Sequence, residues 1–202
     1  MRRVVLLVLL ALVLPVAAFA SSGVDFTNSG GTLTGSNSGM VLSGSTLIAV
    51  NGLNGMGLIT GNDLGSVTFS TGALISGSTD MGGTFAAGGS FTITGNGSNG
   101  LPNGVIFSGT FDSPVAWTLV TLADGTHNYI LTGTLTGTLG NVTTSGVTVQ
   151  LTINTGKGFF NGSTEISSGD TNVLVPEPGT LGLLGTGLVG VAGLLRRKFK
   201  GE

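Results

Sequence analysis

Apolar and polar residues alternate with a period of two through most of the chain. That is the pattern of strands with one face buried. "ILTGTLTGTL", from Ile130 to Leu139, is the clearest run. Thr132, Thr134, Thr136 and Thr138 take one face; Gly133, Leu135, Gly137 and Leu139 take the other. "SFTITG" (Ser90 to Gly95) puts Phe91 and Ile93 together, opposite Thr92 and Thr94. "VTVQLTIN" (Val147 to Asn154) sets Val147, Val149, Leu151 and Ile153 on one side. "GVIFSGTF" from Gly104 and "AWTLVTL" from Ala116 behave alike. No amphipathic helix is evident between the two terminal segments.

Turn signals separate these runs. Asn-Gly occurs at Asn51, Asn54, Asn96, Asn99, Asn103 and Asn161, and Asp-Gly at Asp124. Such dipeptides supply the positive φ angles of tight hairpins. "TLADGTHNYILTG" therefore predicts a hairpin turning at Asp124-Gly125, and "GNGSNGLPNG" a longer loop. Roughly ten short strands joined by such turns predict an all-β domain, an antiparallel β-sandwich or jelly-roll-like fold. The rival is an irregular β-solenoid, because fragments recur. "GTLTG" appears at Gly31 and Gly133, "SGST" at Ser43 and Ser76, and "NGST" at Asn161. A solenoid needs a fixed short period, and these fragments have none. The expected core is Phe69, Phe85, Phe91, Ile93, Ile106, Phe107, Phe111, Trp117, Leu119, Ile130, Leu151, Ile153 and Phe159 or Phe160.

The alternation fails at both ends. The chain begins "MRRVVLLVLLALVLPVAAFASS". Arg2 and Arg3 precede an aliphatic run from Val4 to Leu14, Pro15 interrupts it, and Ala18-Phe19-Ala20 follows. This is the form of a secretory signal helix, cut by signal peptidase between Ala20 and Ser21. The chain closes "VPEPGTLGLLGTGLVGVAGLLRRKFKGE". From Gly179 and Thr180 to Leu195 there are seventeen residues without a charge. As a helix they reach about 25 Å, a little short of the roughly 30 Å hydrocarbon core. Flanking side chains can make up the difference. Arg196, Arg197, Lys198 and Lys200 follow as a stop-transfer signal that stays in the cytoplasm. Both ends predict one topology, with the middle exported and the last residues inside. Gly182, Thr186 and Gly190 also leave one face of the predicted transmembrane helix smooth enough for another helix to approach.

Between strand region and helix stands Val175-Pro176-Glu177-Pro178-Gly179. Each proline fixes φ and disfavours helix in the residue before it. The segment is therefore extended and stiff, a shape suited to a protease cleft. Motif, apolar helix and basic tail in this order resemble the PEP-CTERM sorting signal. No Leu-Pro-x-Thr-Gly motif of the Gram-positive type is present. The resemblance covers about the last 28 residues. It implies a Gram-negative-type bacterium that makes extracellular polysaccharide. It also implies an exosortase that cuts near Pro176 to Pro178, with Glu177 as a recognition charge. The tail is also catalogued as an ice-binding protein C-terminal domain, a label for the tail and not for an activity. The expected life history is export through the inner membrane, transient anchoring with the C-terminus in the cytoplasm, then release to the cell surface or matrix. The chain thus divides into residues 1–20, 21–172 and 173–202.

Charge changes the picture of the middle. Seven acidic residues between the terminal signals oppose only Lys157, for a net charge of −6, although the whole chain carries −2. An acidic domain without a basic patch excludes nucleic acid as a partner, since phosphate contacts supply most non-specific affinity. There is no cysteine, so disulfides and thiolate zinc sites are absent. Glycine is abundant at 38 residues. The recurring aliphatic and β-branched runs nonetheless argue against disorder.

Candidate chemistry is sparse. His127, the single histidine, lies beside a predicted turn and reads as an exposed strand-start residue, with no Gly-x-Ser-x-Gly elbow to serve. Asp63, Asp80, Asp112 and Glu165 sit in turn-like contexts, where carboxylates bond their own backbone, and are not placed as a glycosidase pair. No calcium-loop motif occurs, and no metal or cofactor is expected. "NTGKGFFNGST" lacks the spacing of a phosphate loop. The threonine row Thr132 to Thr138 would need further rows in register to bind ice. Trp117, Tyr129, Phe159 and Phe160 could stack on sugars if exposed. The leading expectation is a non-catalytic surface or matrix protein associated with extracellular polysaccharide or biofilm. The alternatives are a polysaccharide-binding module and, more distantly, an ice-binding protein or a glycan-active enzyme.

Overall fold

A computed structural model describes residues 22–175. The expected signal-cleavage site, the sorting motif beyond Val175, the apolar span and the basic tail lie outside the described residues. Gly23–Val175 forms a compact unit. It contains thirteen strands among the described residues: β1 (Ser22–Ser29), β2 (Thr32–Ser36), β3 (Gly39–Asn51), β4 (Ile59–Ser70) and β5 (Leu74–Ser78) come first. Then follow β6 (Gly82–Phe85), β7 (Gly88–Asn96), β8 (Asn103–Phe111), β9 (Val115–Thr121) and β10 (His127–Leu139). The last are β11 (Val142–Asn154), β12 (Ser163–Glu165) and β13 (Ser168–Val175). β13 runs three residues past the domain end expected at residue 172. Among the described residues no helix is long and apolar enough to cross a membrane.

The expected antiparallel all-β domain is present, and its sheet closes into a barrel. Hydrogen bonding runs β10–β11–β13–β1–β3–β4–β7–β8 and returns to β10. Closure leaves the eight-stranded ring without an unpaired edge, while β5 and β12 remain edge strands of the branches. The two long strands β3 and β10 each fork. One edge of β10 pairs with β11 throughout. Its other edge pairs with β9 from His127 to Thr132 and with β8 from Leu135 to Leu139. β3 likewise pairs with β2 near its start and β1 near its end. The branches β9–β6–β5 and β2–β12 widen one end of the barrel. Every register is antiparallel, which rules out a solenoid of stacked parallel coils.

Parity along each strand decides the core. Phe69, Phe91, Phe107 and Phe111 meet inside the ring; Phe69 stacks on Phe91 at 5.9 Å between centroids. Trp117 and Tyr129 stack at 4.9 Å under the branch, with Phe160 against Trp117. The expected core residues are buried with two exceptions, Ile130 and Leu119, and of Phe159 and Phe160 it is Phe160 that enters the core. Ile130 has the parity of Thr132 and is only partly covered, because Tyr129 and Leu131 take the inward positions. Leu119 packs at the margin. Phe159 is 49% exposed while Phe160 is buried. Ile106 and Phe107 are adjacent yet both buried. A bulge allows this, since Ile93 faces Phe107 while Thr94 faces Val105, which leaves Ile106 extra.

Two loops at one barrel end share a sequence and a shape. Asn51-Gly-Leu-Asn-Gly-Met56 joins β3 to β4; Asn96-Gly-Ser-Asn-Gly-Leu101 joins β7 to β8. Each folds as a short 3-10 turn. Gly52 and Gly97 have φ near +80°, and Asn54 and Asn99 have φ of 53° and 54°. Asparagine tolerates this left-handed region better than other residues with side chains.

Candidate functional site

The outer faces of β10, β11, β13 and β1 form a groove of about 570 Å³. Outward parity places polar side chains along it, between the apolar surfaces of Pro114, Ala116 and Val149. Thr132, Gln150 and Asp170 lie side by side across three strands, and Thr134, Thr148 and Asn172 form the next row. Asp25 on β1 closes one side. The β8–β9 connection closes the other with Ser113 and Pro114. Ser113 is held by Thr134 at 2.6 Å between hydroxyls. Thr134 and Thr136 donate to the Asp112 carboxylate at 2.5 and 2.8 Å, which fixes that wall.

Asp25 and Asp170 share the groove. Thr27 Oγ1 donates to Asp170 Oδ1 at 3.0 Å. Burial raises the Asp25 pKa above its ordinary 3.8, and the Asp170 charge raises it further, against a hydrogen bond from the Phe26 backbone. Lys157 is the only lysine or arginine among the described residues and does not line the groove. The groove therefore presents hydroxyl, amide and carboxylate groups and no cation. Such a lining exchanges hydrogen bonds with a neutral polyhydroxyl ligand.

The residues weighed for chemistry are scattered. Asp63 accepts from the Gly65 N–H at 3.1 Å and Asp124 from the Thr126 N–H at 2.9 Å, as turn carboxylates do. Asp80 lies in the β5–β6 turn, where a Ser78 hydroxyl holds its pKa below the ordinary value. Asp112 departs from the turn expectation by reaching across to Thr134 and Thr136. Glu165 is exposed on β12. His127 does start a strand, but it is 8% exposed rather than open. It shares the inward parity of Tyr129 and is covered by Phe159 at 4.3 Å. Its Nδ1 has no hydrogen-bond partner. Among the described residues no three His, Asp or Glu side chains are grouped to hold a metal ion.

Trp117, Tyr129 and Phe160 are buried and cannot stack on a sugar. Trp117 Nε1 donates to the Thr79 carbonyl at 2.7 Å, so its polar edge is used internally. Sequence reasoning missed Asp25 and Asp170 as a pair. Outward parity was visible for each, between Val24 and Phe26 and between Gly169 and Thr171. Their meeting depends on the β1–β13 contact, which joins opposite ends of the domain.

Comparisons with known proteins bear on the tail. A family model for the PEP-CTERM protein-sorting motif matches residues 174–198. No curated protein and no solved structure matches the chain. The motif implies export, processing by an exosortase and membrane-anchored sorting toward the cell surface.

Proposed function

We propose that the barrel is a non-catalytic surface or matrix module that holds extracellular polysaccharide along the β10–β11–β13–β1 groove. The carrying observation is the groove lining: two rows of hydroxyl, amide and carboxylate groups in register, with no cation and no nucleophile–base pair. His127, the one histidine, is buried elsewhere in the fold. The sorting motif supplies the setting. The reading is tested by equilibrium binding of the full chain to neutral soluble glycans and to extracellular polysaccharide. Gln150→Ala combined with Asn172→Ala removes two amides from exposed positions. Loss of both should weaken binding about tenfold, at about 0.5–1.5 kcal/mol per hydrogen bond. No binding by the unaltered chain, or unchanged binding by the double variant, would sink the groove reading. Turnover of any glycan would overturn the non-catalytic one, and Asp25→Asn would then show whether the carboxylate pair is responsible.

Ice binding has one observation in its favour. Sheet pairing brings hydroxyls into rows that the primary sequence does not show as a repeat. Thr68, Thr92, Ser108 and Thr138 align across β4, β7, β8 and β10. Neighbouring strands, however, rotate by about 20–25° each. Three such steps turn the row by roughly 60–75°, so it cannot lie flat on a crystal lattice.

A further inference from the structure

The antiparallel ring sorts its connections between two ends. β1 starts, and β3, β7, β10 and β13 finish, at one end, where β4, β8 and β11 also begin. The described chain therefore enters and leaves the barrel at the same end. Three connections share that end: the twin Asn-Gly loops and the Gly140-Asn141 turn between β10 and β11.

Lack of charge sets this end apart, since exposed apolar side chains also occur at the forked end, at Ile75, Met81, Leu122 and Phe159. Residues 51–60, 96–106 and 137–146 include no charged side chain. Leu58 is 67% exposed, Val105 60%, Val142 43% and Leu174 53%, all within a few residues of it. The nearest acids are Asp63, tied to Asn96, and Asp25, which faces the groove. Asp80, Asp124, Lys157 and Glu165 belong to connections or strands of the opposite, forked end.

Covalent reach adds a constraint. Val175 ends β13, and only Pro176, Glu177 and Pro178 separate it from the apolar stretch that starts at Gly179. Three extended residues span at most about 11 Å. The headgroup layer is about 5–8 Å thick on each side of the hydrocarbon. A span from Gly179 to Leu195, itself a little short for the core, leaves no slack.

The geometry points to a lipid-docking surface: while the tail is attached, the loop end of the barrel rests in the bilayer headgroup layer. Leu58, Val105, Val142 and Leu174 enter its apolar boundary. The uncharged loops avoid the repulsion that anionic headgroups exert on carboxylates, and the acidic end faces away. The inference rests on reading Gly179–Leu195 as a membrane span.

The chain has no native cysteine, so single-cysteine variants of the full chain can each carry one fluorophore. The probe surface is a vesicle of phosphatidylethanolamine and phosphatidylglycerol containing spin-labelled lipid as quencher. Leu58→Cys, Val105→Cys and Val142→Cys labels should lose fluorescence. Ile75→Cys and Leu122→Cys labels, at exposed positions in the forked half, should keep it. A Leu188→Cys label reports insertion of the span. Quenching at position 188 with none at 58, 105 or 142, or equal quenching at both ends, overturns the docking surface alone. No quenching at position 188 overturns the span reading, and the docking surface with it.

Discussion

Tyr129 joins three parts of the chain that are far apart in sequence. Its hydroxyl donates to the Asp80 carbonyl and accepts the Phe160 N–H at 3.0 Å. It thereby ties the β5–β6 turn and the β11–β12 connection to β10. Tyr129→Phe keeps the ring packed on Trp117 but strands a buried N–H. The expected loss is about 1–3 kcal/mol, read from urea unfolding midpoints. Trp117→Ala should cost more, about 3–5 kcal/mol, and so would report on folding rather than on glycan contact. Asp25 in the groove and Asp112 behind its wall make opposite predictions. The folded Asp25 pKa lies above 3.8, so the folded state binds this proton more tightly than the unfolded chain. Its stabilising contribution is complete below pH 3.8 and is lost as pH rises through the folded value. Asp25→Asn should therefore stabilise the barrel at neutral pH, with the gain fading in acid. Asp112 is held below the ordinary value by the hydroxyls of Thr134 and Thr136. Its contribution is present above pH 3.8 and lost as pH falls through the folded value. Asp112→Asn should lower stability at neutral pH, by a small amount because the carboxylate is exposed to solvent. Unfolding curves measured across acid and neutral pH that move both variants in the same direction would contradict this.

At the scale of elements, alternation alone explains which face of each strand is wet, and bulges explain the departures. β4 illustrates the cost of a bulge region. Gly65 has φ of +144°, and a Cβ there would lie 1.9 Å from the Thr94 carbonyl oxygen. Gly65→Ala combines backbone strain of about 1–3 kcal/mol with a clash that pushes β7 off β4. Gly140, at φ +57° with open space around it, provides the contrast. Gly140→Asn should cost no more than about 1 kcal/mol, since asparagine accepts the left-handed region. Thermal unfolding of both variants checks the difference; equal melting temperatures would mean that β4 and β7 part without strain. The forks of β3 and β10 follow from length. Each has thirteen residues, long enough to serve two shorter partners along one edge.

For the whole molecule, closure depends on the last strand. β13 fits between β11 and β1, so the first and last described strands are neighbours. The ring cannot close until residues 168–175 have joined it. A chain ending at Val175 should fold, whereas one ending at Ser167 should leave Phe26 and Leu151 with one side uncovered and fail to give a cooperative transition. Circular dichroism during thermal unfolding separates the two. Because β13 runs into Val175, the sorting motif starts directly where the barrel ends. Mass spectrometry of cell-associated protein should find chains that lack Arg196 to Glu202. Recovery of the intact tail from mature protein would reduce the segment to a simple anchor.

The local pattern carried the strands, the turns and most of the core. A period of two states which side chains share a face, whatever the strand later pairs with. The sorting motif was legible for a similar reason, since the residues that the family model matches are contiguous. Two expectations went against the alternation and were overturned: His127 has inward parity but was expected exposed, and Ile130 has outward parity but was expected in the core. His127 is covered by Phe159, and Ile130 lies on the face opposite to Tyr129. Strand order, barrel closure, the Asp25–Asp170 groove and the uncharged end with both chain exits came only from the tertiary structure. Each depends on pairings between residues distant in sequence, such as β1 with β13. An alternating pattern says which face a residue takes but not which strand will lie beside it.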